Sequence, residues 1–227
     1  MKITLGTTYY NCPKLLTKFI EHHLDHFDEL IIVDDGSNIP AKNYIEKNDK
    51  IKLYRVPIDY GFNSHGCRNL IMKETSNDWT VLLDVDRLFI DSKFATDVIK
   101  TKKLREDTLY LFEMFSDYTK KETCHQSVND FLVHKNHFWK AGGYDEELIG
   151  IRNGDRQYRR QLLNFGHEKL IHGIQVEFTR KPSMLLNFVS PNDKLSFDRK
   201  LSNLIYNRIV TPEPNKKTLT FEWYREF

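Results

Sequence analysis

Glu29-Leu30-Ile31-Ile32-Val33 is a continuous apolar run, and it stops at Asp34-Asp35-Gly36-Ser37. A short apolar run bounded by turn residues marks a strand buried on both faces. Thr80-Val81-Leu82-Leu83 repeats the pattern and ends at Asp84-Val85-Asp86. Upstream, Ile3 to Thr8 is β-prone. From Pro13, the residues Leu16, Phe19, Ile20, Leu24 and Phe27 fall near helical spacing. Ile51 to Val56 alternates as a third strand, and Gly66 to Thr75 reads as a helix. Strands alternating with helices give an α/β fold with a mixed, mainly parallel sheet flanked by helices. Both acidic turns then lie past the C-terminal ends of buried strands, the edge where open α/β sheets bind ligands.

The chain continues with a β-rich stretch from Thr108 to Phe115 and with Phe131-Leu132-Val133. A turn at Ala141-Gly142-Gly143-Tyr144 precedes a helix from about Asp155 to Phe165. No internal repeat is present. The reading divides the chain into a main domain over 1–180 and a C-terminal helix/strand extension over 181–227, packed on it. The extension has eight Lys/Arg against five Asp/Glu, so it carries +3 and residues 1–180 carry −1. Within it, Lys194 to Ile209 reads as an amphipathic helix, Thr211-Pro212-Glu213-Pro214 breaks it, and Leu219, Phe221 and Trp223 alternate like a strand.

Composition excludes several classes. The 227 residues are 40% hydrophobic, enough for a real core without staples. A net charge of +2 excludes a strongly polyanion-binding or acidic-tail composition. Ten Gly and seven Pro exclude collagen-like and low-complexity chains. Cys12, Cys67 and Cys124 form no CxxC pair and read as free thiols of a reducing compartment. With no signal-peptide pattern at the start and no run of ~18 apolar residues, the expectation is a soluble, cytoplasmic protein without a membrane span.

Asp84 and Asp86 are the sharpest chemical feature. Two carboxylates two residues apart at a strand mouth can hold Mg2+ or Mn2+, which favour oxygen ligands and accept phosphate and water in the remaining positions. An Asp-x-Asp also occurs as a plain turn cap. Asp34 and Asp35 can accept from a nucleobase N–H or a ribose hydroxyl, or can simply build the turn. Arg68, at the start of a helix, can grip a phosphate or face solvent. Tyr9, Tyr10 and Tyr60 can stack on a base or pack at strand ends. His22 and His26, four apart on a helix, read as a solvated face; His134 and His137 flank a turn; Arg156, Arg159 and Arg160 read as an exposed helix face.

Taken in order, these pieces resemble the GT-A-fold glycosyltransferases, especially the large family 2. The matching segments are Tyr10-Asn11, Ile31-Ile32-Val33-Asp34-Asp35-Gly36-Ser37, Cys67-Arg68-Asn69, Leu82-Leu83-Asp84-Val85-Asp86 and Gly142-Gly143-Tyr144-Asp145-Glu146-Glu147-Leu148. The resemblance covers about residues 1 to 170. It implies that Thr8, Tyr10, Asp34, Asp35, Arg68, Asp84 and Asp86 bind a nucleotide-sugar donor. It implies that Gly143, Tyr144 and Asp145 border the acceptor, and that Asp155 is the catalytic base. The metal, Mn2+ or Mg2+, is implied at Asp86 and Asp84, with His172 the best-placed third ligand and His167 the second. The family's usual Glu-Asp pair reads Gly154-Asp155 here, with Ile151-Arg152-Asn153 before it.

The resemblance implies a metal-dependent, inverting enzyme that moves a sugar, UDP-linked by preference, to a hydroxyl acceptor. A glycan or lipid-linked sugar is the default acceptor. The basic, aromatic tail also suits a hydroxylated base in phage-type DNA, which would have to be flipped out of its stack. Two other readings stand beside it. A sugar-phosphate nucleotidyltransferase needs a Gly-rich, Arg-containing loop where this chain has Thr7-Thr8-Tyr9-Tyr10-Asn11. A catalytically weak nucleotide-sugar-binding module accommodates the absent Glu.

Overall fold

A computed structural model of the chain describes residues 1–115, 125–149, 154–179 and 219–227, together with Leu204 and Asn207. Its elements run β1 (Ile3–Tyr9), α1 (Pro13–His23), β2 (Glu29–Asp35), β3 (Ile51–Val56), α2 (Ser64–Glu74), β4 (Trp79–Leu82) and β5 (Arg87–Phe89). Then follow α3 (Ser92–Thr101), β6 (Thr108–Phe115), β7 (His125–His134), α4 (Lys135–Lys140), α5 (Gly154–Leu163), β8 (His167–Phe178) and β9 (Tyr224–Arg225). The described strands form one sheet in the order β5-β8-β6-β7-β4-β1-β2-β3-β9. Its central strands β3, β2, β1 and β4 are mutually parallel. β7 pairs antiparallel with β4 and starts the mixed half of the sheet.

The apolar run in β2 serves both faces, as expected of a central strand. Leu30 and Ile32 join the core under α1 and α3, while Ile31 and Val33 join the core under α2, α4 and α5. This is the two-residue alternation of a strand covered on both sides. Pro13 opens α1 at a position where its missing N–H costs nothing. Gly6 lets α2 lie close on β1, since a Cβ there would fall 2.3 Å from Ile71 Cγ2. Parallel pairing of β2, β1 and β4 brings the turns after β2 and β4 to one edge, and the first turn of α2 lies between them.

The C-terminal segment packs on this framework. Phe221 is buried with the α2 side of the core, Trp223 meets the Tyr54 ring edge-on, and β9 adds to β3. The pairing is shorter than the alternation of Leu219, Phe221 and Trp223 implies, covering two residues. The expected helix over Lys194 to Ile209 and the Pro212-Glu213-Pro214 break lie outside the described residues, Leu204 and Asn207 excepted. So do Cys124 and Ile151-Arg152-Asn153. Cys12 and Cys67 are buried and form no disulfide among the described residues. Among the described residues, no helix is long and apolar enough to cross a membrane.

Candidate active site

The turn after β2 is built from its own carboxylates. Asp34 Oδ1 accepts from Ser37 N at 2.9 Å, and Oδ2 accepts from Ala41 N at 2.9 Å and from Arg55 Nη1 at 2.6 Å. Burial, opposed by these donors, raises the Asp34 pKa. Asp35 is buried as well; its Oδ2 accepts from Asn63 N at 3.1 Å and the Cys67 thiol lies beside it. Desolvation pushes the Asp35 carboxyl up to about 7. Gly36 takes φ +68°, and a Cβ there would strike the backbone of Ile58 and Asp59. Thr8, one residue before the end of β1, lies opposite Val33. The Tyr10 hydroxyl donates to Asp59 Oδ2 at 2.8 Å.

The turn after β4 is arranged differently. Asp84 Oδ1 accepts from Arg68 Nη2 at 2.6 Å and Oδ2 from Asn129 Nδ2 at 3.4 Å. Asp86 Oδ1 lies 3.9 Å from Arg87 Nε. The turn is held from below by Asp130 of β7, a residue with no exposed surface. Asp130 Oδ1 accepts from Asp84 N at 2.9 Å and its Oδ2 lies 3.4 Å from Arg87 Nε. Thr179 fixes the Asp86 carbonyl through its N–H and hydroxyl. The Asp84 carboxylate thus meets side-chain donors rather than backbone, and it keeps about a quarter of its surface. Two hard oxygen donors in this setting fit a divalent cation whose other positions are taken by phosphate and water. Among the described residues, no three His, Cys, Asp or Glu side chains form a complete cage.

Arg68 joins this turn to Asp155. Its guanidinium is 3% exposed. Nη2 reaches Asp84, while Nη1 donates to the Tyr144 hydroxyl at 2.8 Å and to Asp155 Oδ1 at 3.1 Å. Burial works against this charge, yet Tyr144, Asp84 and Asp155 together raise the Arg68 pKa well above its ordinary value. Asp155 lies in the first turn of α5, and its carboxylate is 15% exposed. The Tyr144 hydroxyl also contacts Asp155 Oδ1, at 3.2 Å.

The Gly-Gly-Tyr turn is shaped by Asn69. Its Oδ1 accepts from Tyr144 N at 2.8 Å, and its Nδ2 donates to Tyr144 O at 2.9 Å and to Glu146 Oε1 at 2.8 Å. Gly143 at φ +69° has no room for a side chain, because a Cβ would lie 2.8 Å from Asn69 Oδ1 and from Trp139. Asp145 caps the short 3₁₀ turn Glu146–Leu148 by accepting from Glu147 N. Gly154 has a partner that accounts for it: a Cβ there would sit 2.5 Å from Nε2 of His65, whose ring is fully buried. His65 thus fills the space that any side chain at 154 would need.

The structure brings Arg68, Asp84, Asp155 and Tyr144 into one network and places Asp86 on the same turn as Asp84. It does not bring His172 to them. β6 and β8 lose register between Phe112 and Glu113, so His172 sits in a bulge facing Glu113, its side chain 82% exposed. Thr179, which holds Asp86, is four residues beyond the bulge's end at Gln175, roughly 13 Å along the strand. His167, further still, lies near Asp107. Sequence reasoning missed Asp130, Asn69, His65 and Arg87. For Asn69 a signal existed, since it follows Arg68 in the quoted motif; Asp130 and His65 carry no local pattern.

The comparisons with known proteins accord with this geometry. The sequence profile described as Glycosyl transferase family 2 matches residues 4–161. The chain belongs to glycosyl transferase family 2. No curated protein matches the chain in sequence. Solved structures share the GT-A fold of this family at low identity. S. aureus TarS superposes with a TM-score of 0.61 at 14% identity, over 90% of this chain and 42% of TarS. The catalytic domain of Drosophila beta1,4galactosyltransferase 7, solved with xylobiose, gives 0.62 at 11% identity, over 95% of this chain and 83% of that one. Mannosyltransferase PcManGT from Pyrobaculum calidifontis, solved with GDP-Man and Mn2+, gives 0.59 at 10% identity, over 80% and 57%. The family 2 chain described here therefore spans about two fifths of the length of TarS.

Proposed function

We propose that this family 2 chain transfers a sugar from a nucleoside-diphosphate donor to a hydroxyl acceptor with inversion, and that Asp155 is the base. The observation that carries the reading is the Arg68 bridge. One buried guanidinium ties Asp84, at the donor-side turn, to Asp155, so donor and base are held in one frame. Thr8, Tyr10 and Asp35 line the nucleoside side in this proposal, on the turn that Asp34 builds. Gly143, Tyr144 and Asp145 shape the acceptor side.

An acceptor hydroxyl has a pKa far above 7 and must lose its proton as it attacks the anomeric carbon. Asp155 takes that proton through Oδ2, because Oδ1 is engaged by Arg68 and Tyr144. The new oxygen–carbon bond forms on one face while the bond to the phosphate oxygen breaks on the other. The electron pair leaves with the diphosphate, whose charge Arg68 meets in this proposal. A Mn2+ or Mg2+ held by Asp84 and Asp86 would supply Lewis-acid neutralisation of the same diphosphate. UDP is the favoured nucleotide and a glycan or lipid-linked sugar the favoured acceptor. The basic, aromatic tail behind the DNA alternative, residues 181–227, is described only at 204, 207 and 219–227.

The test is a thermal-shift screen of UDP- and GDP-sugars with and without Mn2+, followed by diphosphate release from the best donor. Metal-dependent release that disappears in Asp86→Ala supports the enzyme. Donor binding without release in the parent leaves a binding module instead.

A further inference from the structure

We infer that Tyr144 is a positioning residue for the base: its hydroxyl, with Arg68, fixes Asp155 Oδ1 so that Oδ2 faces the acceptor. This rests on the assignment of Asp155 as base and goes beyond it. The sequence placed Tyr144 against the acceptor. The structure buries it to 1% exposure, so it has almost no surface to offer a substrate.

Everything around Tyr144 restrains the direction of its hydroxyl. Asn69 clamps its backbone N–H and carbonyl. Its ring stacks near-parallel against two others, Tyr158 at 4.1 Å with 24° between planes and His65 at 5.4 Å with 22°. The hydroxyl then has two neighbours, the Arg68 guanidinium, which donates to it, and Asp155 Oδ1, to which it donates. The donor assignment is forced by chemistry: Arg68 has no acceptor, and burial keeps the phenol protonated. A rigid ring thus delivers one O–H to one carboxylate oxygen, leaving the other oxygen of Asp155 without a hydrogen bond among the described residues. Small losses of alignment in such a frame are costly in rate, since a displacement of about 1 Å can cost on the order of a hundredfold.

The experiment compares Tyr144→Phe, Asp155→Asn and the double variant, with Tyr158→Phe as control. The rate read is nucleoside-diphosphate release to water from the UDP- or GDP-sugar that the parent turns over fastest with Mn2+. Tyr144→Phe keeps the stacked ring and should keep the parent's melting temperature. The expected result is a fall in kcat of about tenfold or more with the donor KM within about twofold. Asp155→Asn falls further, and adding Tyr144→Phe to it changes nothing more, because the hydroxyl acts only through that carboxylate. Tyr158→Phe, which deletes a buried hydroxyl directed at the Phe138 carbonyl, keeps the parent rate. Parent-like kcat in Tyr144→Phe, an equal loss in Tyr158→Phe, or a further multiplicative loss in the double variant overturns the inference while leaving the base assignment intact. Parent-like release by Asp155→Asn removes the base assignment itself.

Discussion

The turns after β2 and β4 look alike in sequence, each a pair of aspartates ending a buried strand, yet their carboxylates are held in opposite ways. At β2 the Asp34 carboxylate accepts from two backbone N–H groups and from Arg55, a fixed set that closes the turn. At β4 the Asp84 carboxylate is met by the side chains of Arg68 and Asn129, while the backbone of the turn is held separately by Asp130. A carboxylate committed to its own backbone is architecture. One whose turn is held by a different residue is available for exchange with a ligand. The difference lies in which atoms do the capping, and that is set by residues far away in sequence.

This contrast is broken most severely at Asp86. Asp86→Ala should lower diphosphate release by at least about a hundredfold, as for the loss of a major charge stabiliser, while the melting temperature stays near the parent's. Asp34→Asn should do the reverse: release per folded molecule near the parent's, but a loss of about 3 kcal/mol in denaturant unfolding, because Arg55 is left without its buried partner. If Asp34→Asn is as stable as the parent, the turn is not held as described.

The next effect is acid sensitivity. Burial lowers the pKa of His23 to about 3 and of His137 to about 4. The unfolded chain protonates both near 6.5, whereas the folded one keeps them neutral. The histidines' contribution to stability should therefore be intact above pH ~6.5 and be lost as pH drops from there toward 4, opposed in part by Asp35, whose raised pKa favours the folded chain as pH falls below 7. Each histidine contributes a slope of up to about 1.4 kcal/mol per pH unit. His137→Leu, read by urea unfolding between pH 7 and 5, should flatten the slope by about one such contribution; an unchanged slope contradicts it.

The smallest effect concerns the C-terminal segment. Glu146 Oε2 accepts from Thr220 N–H and hydroxyl, both at 2.7 Å, while its Oε1 is held by Asn69 beneath the Gly-Gly-Tyr turn. Thr220→Val should cost about 1 kcal/mol and leave the donor KM unchanged. A loss of several kcal/mol would mean that the segment carries more of the fold than this contact.

Much of the fold was legible because apolar runs ending in turn residues leave few choices. The strands at Glu29 and Thr80 and the helices from Pro13 and near Gly66 were found within a few residues. β8 was not, because HEKLIHGIQVEF is half-exposed and interrupted by a bulge at Gly173 with φ +85°, so its alternation is lost. The site divides in the same way. Asp84, Asp86, Arg68 and Asp155 were accessible as motif positions. Asp130 and His65 act through contacts that span 46 residues in one case and fill the missing side chain of Gly154 in the other, and no local pattern records either. His172 came from the family resemblance, as the best-placed histidine downstream of Asp155, but the register shift between β6 and β8 leaves it facing Glu113.

The most direct measurement is Mn2+ electron paramagnetic resonance during titration with UDP and GDP, run on the parent, Asp86→Ala and Asp34→Asn at a temperature where all three are folded. The account predicts that parent and Asp34→Asn take up Mn2+ together with a nucleotide and that Asp86→Ala does not. Equal uptake by Asp86→Ala, or loss confined to Asp34→Asn, would place the ligand at the other turn and contradict it.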